Sequence, residues 1–264
     1  MMSRTLRLSD GARVRVVEAG AGAPVLLIHG VGLRAEAWGP QIADLSADHH
    51  VIAVDMPGHG ESDPLPGAPL LPDYVGWAAR VIQALDLGPL SVAGHSMGAL
   101  IAGGLAVERP DLTRRAAVLN GVWRRSPEAK AAVLARAAEI GAGAGGIEAP
   151  LARWFDAGQE ALRDQVADWL AEVPRAGYAA AYRAFANGDD TYADRLSLVR
   201  CPFLALTADG DPNSTPAMAE AMAALTQNGR AVVIAGHRHM VNLTAPDAVT
   251  ADLRRWLSTE ETGS

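Results

Sequence analysis

Six short, almost wholly apolar runs constrain this chain more than any other feature. They are Val25–His29, Val51–Val54, Leu90–Ala93, Ala116–Leu119, Phe203–Thr207 and Ala231–Ile234. Each is too short for a helix and too continuously apolar for a strand with one wet face. Such runs suit parallel strands buried on both faces. Helical spacing fills much of the chain between and after them, at Trp38–Leu45, Asp73–Leu85, Met97–Val107, Ala217–Leu225 and Pro246–Leu257. Pro72-Asp73 and Thr215-Pro216 supply cap and first-turn residues for two of these helices. Ahead of the first run, Thr5–Leu8 and Arg13–Glu18 alternate polar and apolar side chains around Asp10-Gly11, the pattern of a hairpin. The chain therefore reads as α/β, a mostly parallel twisted sheet with helices on both faces.

One region breaks the rhythm. Residues 126–198 contain no strand candidate; they are rich in Ala and Arg, with Trp154, Phe155, Trp169, Tyr178, Tyr182 and Phe185 dispersed among them. This segment reads as helices inserted after the sixth strand, a cap on a core formed by residues 1–125 and 199–264. The glycines of 141–146 do not follow a strand, so they suit an interhelical loop better than a phosphate cradle. With 264 residues the chain is large enough for one substantial core.

Net charge and the termini narrow the class of function. A formal charge of −7 without any Lys/Arg run argues against a nucleic-acid surface. The single cysteine, Cys201, cannot form an internal disulfide and suits the cytosol; its place before Pro202 and an apolar run suggests a buried thiol. The opening residues MMSRTLRLSDGARVRV have no apolar core segment, and no stretch approaches a membrane span. The expectation is a cytoplasmic protein with a small-molecule partner and neither nucleic acid nor membrane.

The chemistry concentrates at Gly94-His95-Ser96-Met97-Gly98, a G-x-S-x-G turn with a strand before it and a helix after. Such a turn holds a serine on a strained corner, at the positive end of the following helix. A serine hydroxyl needs a base, and the base an orienting acid. Of seven histidines, His237 and His239 lie after the last strand, where α/β sheets collect their sites. His239, leading directly into the last helix, is the preferred base, with His237 its competitor. This H-x-H pair could also offer two metal ligands, but no third ligand or cysteine cluster accompanies it. The acid should follow the strand Phe203–Thr207, where Asp211 is preferred over Asp209 in Ala208-Asp209-Gly210-Asp211-Pro212. Two backbone N–H groups should stabilise an oxyanion, those of Met97 and of Val31 in His29-Gly30-Val31-Gly32-Leu33.

These motifs together resemble the α/β-hydrolase superfamily over nearly the whole chain. LLIHGVGL is similar to its oxyanion loop, VDMPGHGES to the turn after the next strand, GHSMG to the nucleophile elbow and HMVNLTAP to the histidine loop. The resemblance implies the α/β-hydrolase fold with a helical cap, Ser96 as nucleophile, His239 as base and Asp211 as acid. Ala208 and the late Pro216 depart from the family's pattern and keep Asp209 in play. Within the family the chain looks most like small enol-lactonase and aminoacrylate-hydrolase enzymes.

The expected activity is hydrolysis of a small ester or lactone, with neither metal nor organic cofactor. The alternatives are C–C bond hydrolysis of a β-diketone-like compound by the same residues and a non-catalytic receptor on the same fold. Trp123, Trp154 and Trp169 are candidates to line the pocket. An acidic substrate would need an arginine; Arg124, Arg125, Arg153, Arg175 and Arg183 are available, each expected at the surface.

Overall fold

A computed structural model describes residues 1–260. Its eight strands are β1 (Met2–Arg7), β2 (Arg13–Ala19), β3 (Ala23–Ile28), β4 (His49–Val54), β5 (Leu90–His95), β6 (Thr113–Leu119), β7 (Phe203–Ala208) and β8 (Gly229–Ile234). They form one sheet in the order β1-β2-β4-β3-β5-β6-β7-β8. The hairpin β1–β2 is antiparallel and β2 joins β4 antiparallel; every later pairing is parallel.

Two apolar layers explain the sequence pattern. Along β3, Leu26 and Ile28 join the core on one face, while Val25 and Leu27 join that on the other. The alternation is that of any strand; here both sides meet helices. The first face is covered by α2 (Leu71–Leu85), α3 (Met97–Glu108) and α8 (Pro216–Leu225). The second is covered by α1 (Gly39–Leu45) and α10 (Pro246–Leu257). In α10, Val249, Leu253 and Trp256 recur at helical spacing and are buried, while Arg254 and Arg255 bind acidic residues outside this core. Burying a side chain such as Leu253 contributes about 1.5–3 kcal/mol.

Four details differ from the sequence reading. The β8 run is not enclosed on both faces: it is the sheet's edge and its residues are exposed or half-buried, including Val233 at 38%. Cys201 is half-buried. A short helix, α9 (Val241–Thr244), precedes α10, and Trp38 closes a 3-10 turn instead of opening α1. Four residues are too few for the periodicity that reveals helices.

Between β6 and β7 the chain forms α4 (Pro127–Gly141), α5 (Glu148–Trp154), α6 (Glu160–Glu172) and α7 (Arg175–Asn187), then a 3-10 turn, Ala193–Leu198. The glycine-rich 141–146 stretch joins α4 to α5. Leu151 of α5 and Val166 and Leu170 of α6 pack with Leu33 in the loop beyond β3 and with Met240 and Leu243, just before and within α9. These helices therefore sit over the carboxyl edge of the sheet. Among the described residues no helix is long and apolar enough to cross a membrane.

Candidate active site

The carboxyl ends of five parallel strands meet at one place, the edge where α/β sheets bind ligands. Ser96 follows β5 at once, with φ 55° and ψ −112°, a conformation that L-residues rarely adopt. Two glycines make this corner feasible. A Cβ on Gly94 would lie 1.9 Å from the Gly98 carbonyl oxygen, and one on Gly98 would lie 2.1 Å from that of Ile28. Strand, helix and neighbouring strand approach too closely for any side chain there.

Asp211 follows β7 and His239 follows β8. Ser96 Oγ lies 3.1 Å from His239 Nε2, and His239 Nδ1 lies 2.7 Å from Asp211 Oδ2. All three residues are buried. With Nδ1–H donating to the carboxylate, the Nε2 lone pair is free to accept the serine proton. Asn120 Nδ2 also donates to Asp211 Oδ2 (2.8 Å), and the Asn213 N–H donates to Oδ1 (2.8 Å). Burial pushes the Asp211 carboxyl up, but the charge of His239 and the three hydrogen bonds together hold it below the usual carboxylate range.

The competing residues lie elsewhere in the same loops. Asp209 Oδ1 accepts the Gly236 N–H at 2.8 Å on the exposed side, and His237 Nδ1 meets Thr244 Oγ1 at 3.0 Å. Asp209 braces the turn that leads to His239, and His237 ties that loop to α9.

Met97 opens α3, so its N–H has no acceptor within the helix. Val31 lines the same cavity as Ser96. Its loop is held by two buried histidines. His59 Nε2 accepts the Gly32 N–H at 3.0 Å; His29 Nε2 accepts the Met56 N–H at 2.9 Å and Nδ1–H donates to Gly30 O at 2.7 Å. Burial pushes His29 down to about 4 and His59 to about 3, so both stay neutral and keep a ring nitrogen able to accept. His95, also driven to about 3 by burial and then by the charge of His239, donates Nε2–H to His239 O at 2.8 Å. These three rings position loops, a role that no local sequence signal marks.

The cavity beside Ser96 encloses about 600 Å³, counting its opening to solvent. Trp154 lines it and stacks on His239, ring centroids 5.6 Å apart and planes at 29°. The other two expected tryptophans are not in that wall. Trp123 lines a neighbouring apolar cavity with Leu100, Val118 and Met222, and Trp169 packs in the cluster around Leu33 and Met240. The arginines also divide. Arg124, Arg153, Arg175 and Arg183 are exposed, as expected. Arg125 is buried, and with Arg136 and Arg153 it lines the cavity. Sequence reading missed the inward turn of Arg125 because its partners, Phe185 and Asp189, lie 60 or more residues away.

Fold and site together define a class: residues 25–253 match the Alpha/beta hydrolase family, and the chain belongs to it. Among its relatives is the (E)-2-((N-methylformamido)methylene)succinate hydrolase of Acinetobacter baylyi, 49% identical over 263 residues, covering 98% of this chain and 99% of that one. The 3-oxoadipate enol-lactonase 1 of the same organism is 28% identical over 216 residues, 80% of this chain and 79% of the other. Among solved structures, a malate-bound esterase from Thermogutta terrifontis superposes with a TM-score of 0.87 at 27% identity, covering 97% of this chain and 98% of that one.

Proposed function

We propose that the protein is a serine hydrolase that cleaves a small ester or lactone through an acyl-enzyme on Ser96. The observation that carries this reading is the buried relay from Asp211 through His239 to Ser96, with links of 2.7 and 3.1 Å. The Ser96 O–H gives its proton to His239 Nε2 as Oγ bonds to the substrate carbonyl carbon. Asp211 holds the imidazole tautomer and stabilises the imidazolium. The Val31 and Met97 N–H groups donate to the oxyanion, each contact worth about 3 kcal/mol. As the intermediate collapses, the acyl C–O bond breaks and His239 protonates the departing oxygen. Water then gives a proton to His239 and attacks the acyl carbon, and Ser96 leaves with that proton.

In this reading residues 126–198 act as a cap on a core of 1–125 and 199–264, and Trp154 forms its apolar wall over the histidine. Trp154, Tyr178, Tyr182 and Phe185 line the cavity beside Ser96, which favours compact substrates over long acyl chains. A second reading draws on the 49% identity with the Acinetobacter baylyi enzyme, whose named substrate is a succinate derivative bearing a formamido group. There the same serine chemistry would act on a small unsaturated acid derivative instead of a simple ester.

The test is a panel of p-nitrophenyl esters of rising chain length, enol-lactones and β-diketones, run with the wild-type protein and Ser96→Ala. Short esters or small lactones should be cleaved faster than long-chain esters, and Ser96→Ala should lower kcat by about 10⁴–10⁶. A variant retaining a tenth of the activity would remove Ser96 as nucleophile. A preference for long chains would contradict the cap, and a β-diketone turned over far faster than any ester would make the reaction C–C hydrolysis.

A further inference from the structure

The cavity beside Ser96 carries three guanidinium groups, those of Arg125, Arg136 and Arg153, and no carboxylate among its lining residues. The whole chain has a formal charge of −7, so cations gathered here run against the composition. The three are not equivalent. Arg136 is already engaged: it pairs with Glu139 at 3.2 Å and donates to the Gly146 carbonyl. Arg153 is exposed at the end of α5 and pairs with no carboxylate among the described residues.

Arg125 is the unusual member, its side chain only 3% exposed. Its guanidinium lies over the Phe185 ring at 4.5 Å, and Nη1 reaches Phe185 O at 3.4 Å and Asp189 Oδ1 at 3.3 Å. Asp189 is shared, because Lys130 Nζ lies 3.3 Å from the same oxygen. Arg125 Nη2 is buried without a hydrogen-bond partner. An unmet donor on a buried cation is costly, and burial pushes this guanidinium below its ordinary value even with Asp189 beside it. An incoming carboxylate would satisfy it, since a guanidinium fork matches a carboxylate in shape and charge. Tyr178 and Tyr182 add hydroxyls to the same wall; burial raises both above the ordinary tyrosine range, so they stay protonated and able to donate.

We infer that this cavity selects small dicarboxylates, with the buried Arg125 anchoring one carboxylate and Arg153 at the rim pairing with the second. The inference deepens the hydrolase reading above, which it assumes only for the chemistry at Ser96. Arg125 and Arg153 set specificity; they do not touch the reacting atoms.

Calorimetric titration of the Ser96→Ala protein separates recognition from turnover. Succinate should bind at least about tenfold more tightly than its monomethyl ester, the range that one or two charge-assisted hydrogen bonds supply. Inorganic phosphate should bind more weakly than succinate. Adding Arg153→Gln should weaken succinate by about tenfold and bring it level with the monoester. Arg125→Lys, which keeps the charge beside Asp189 but loses the fork, should weaken succinate as well, with thermal melting to verify the fold. Succinate binding no tighter than its monoester, phosphate matching succinate, or no response to Arg153→Gln would each overturn the inference. The two readings fail separately. If wild-type protein hydrolyses neutral esters through Ser96 and yet ignores succinate, the dicarboxylate inference falls alone. Arginine-dependent succinate binding without any Ser96-dependent hydrolysis would instead leave it standing and sink the hydrolase.

Discussion

The floor and the roof of the cavity are built by different physics. Its floor consists of loops that leave β3, β5, β7 and β8 at one sheet edge, where hydrogen bonds and close backbone approaches leave little choice of residue. Gly94 and Gly98 admit no Cβ, and Asp211 is held by three donors. Its roof consists of α4 to α7; α4 and α6 are largely exposed, and α5 and α6 meet the floor through Leu151, Val166 and Leu170. Backbone geometry dictates the floor; the roof depends on which side chains happen to turn inward. A hydrolase site divided this way can keep its chemistry while its specificity drifts.

That contrast can be broken at either layer, and the floor should give the larger effect. Asp211→Asn should lower kcat by up to about 10⁴ by favouring the wrong histidine tautomer. Asp209→Asn should stay within a few-fold, because its carboxylate only braces Gly236. Steady-state kinetics on one short ester decides the matter, and a reversal of the two results would make Asp209 the acid.

The roof should respond less and differently. Trp154→Ala removes the ring stacked on His239 and enlarges the cavity. Looser positioning should cost about tenfold to a hundredfold in kcat/KM on the shortest ester. The optimum in an acyl-chain series should move to longer chains. An unchanged optimum would mean that Trp154 does not bound the acyl pocket.

The same division explains what could be read from sequence. The apolar runs and the G-x-S-x-G turn are local, so the parallel sheet and the elbow at Ser96 were legible, as was the helical character of 126–198. Ala231–Ile234 was misjudged as enclosed because apolar composition does not reveal whether a strand has a neighbour on both sides. Asn120 and the loop-bracing His29, His59 and His95 escaped notice because their partners are remote: Asn120 meets Asp211 across 91 residues, and His95 meets His239 across 144. For the same reason Arg125 read as a surface charge, and Trp123 and Trp169 could not be told from Trp154.

The central claim is that Ser96 forms a covalent acyl intermediate with His239 as its base, and intact-protein mass spectrometry tests it most directly. Wild-type protein treated with a fluorophosphonate should gain one adduct per chain, mapped by peptide digestion to Ser96. His239→Ala should slow that labelling sharply, and Ser96→Ala should abolish it. An adduct on another residue, or labelling that survives Ser96→Ala, would contradict the account.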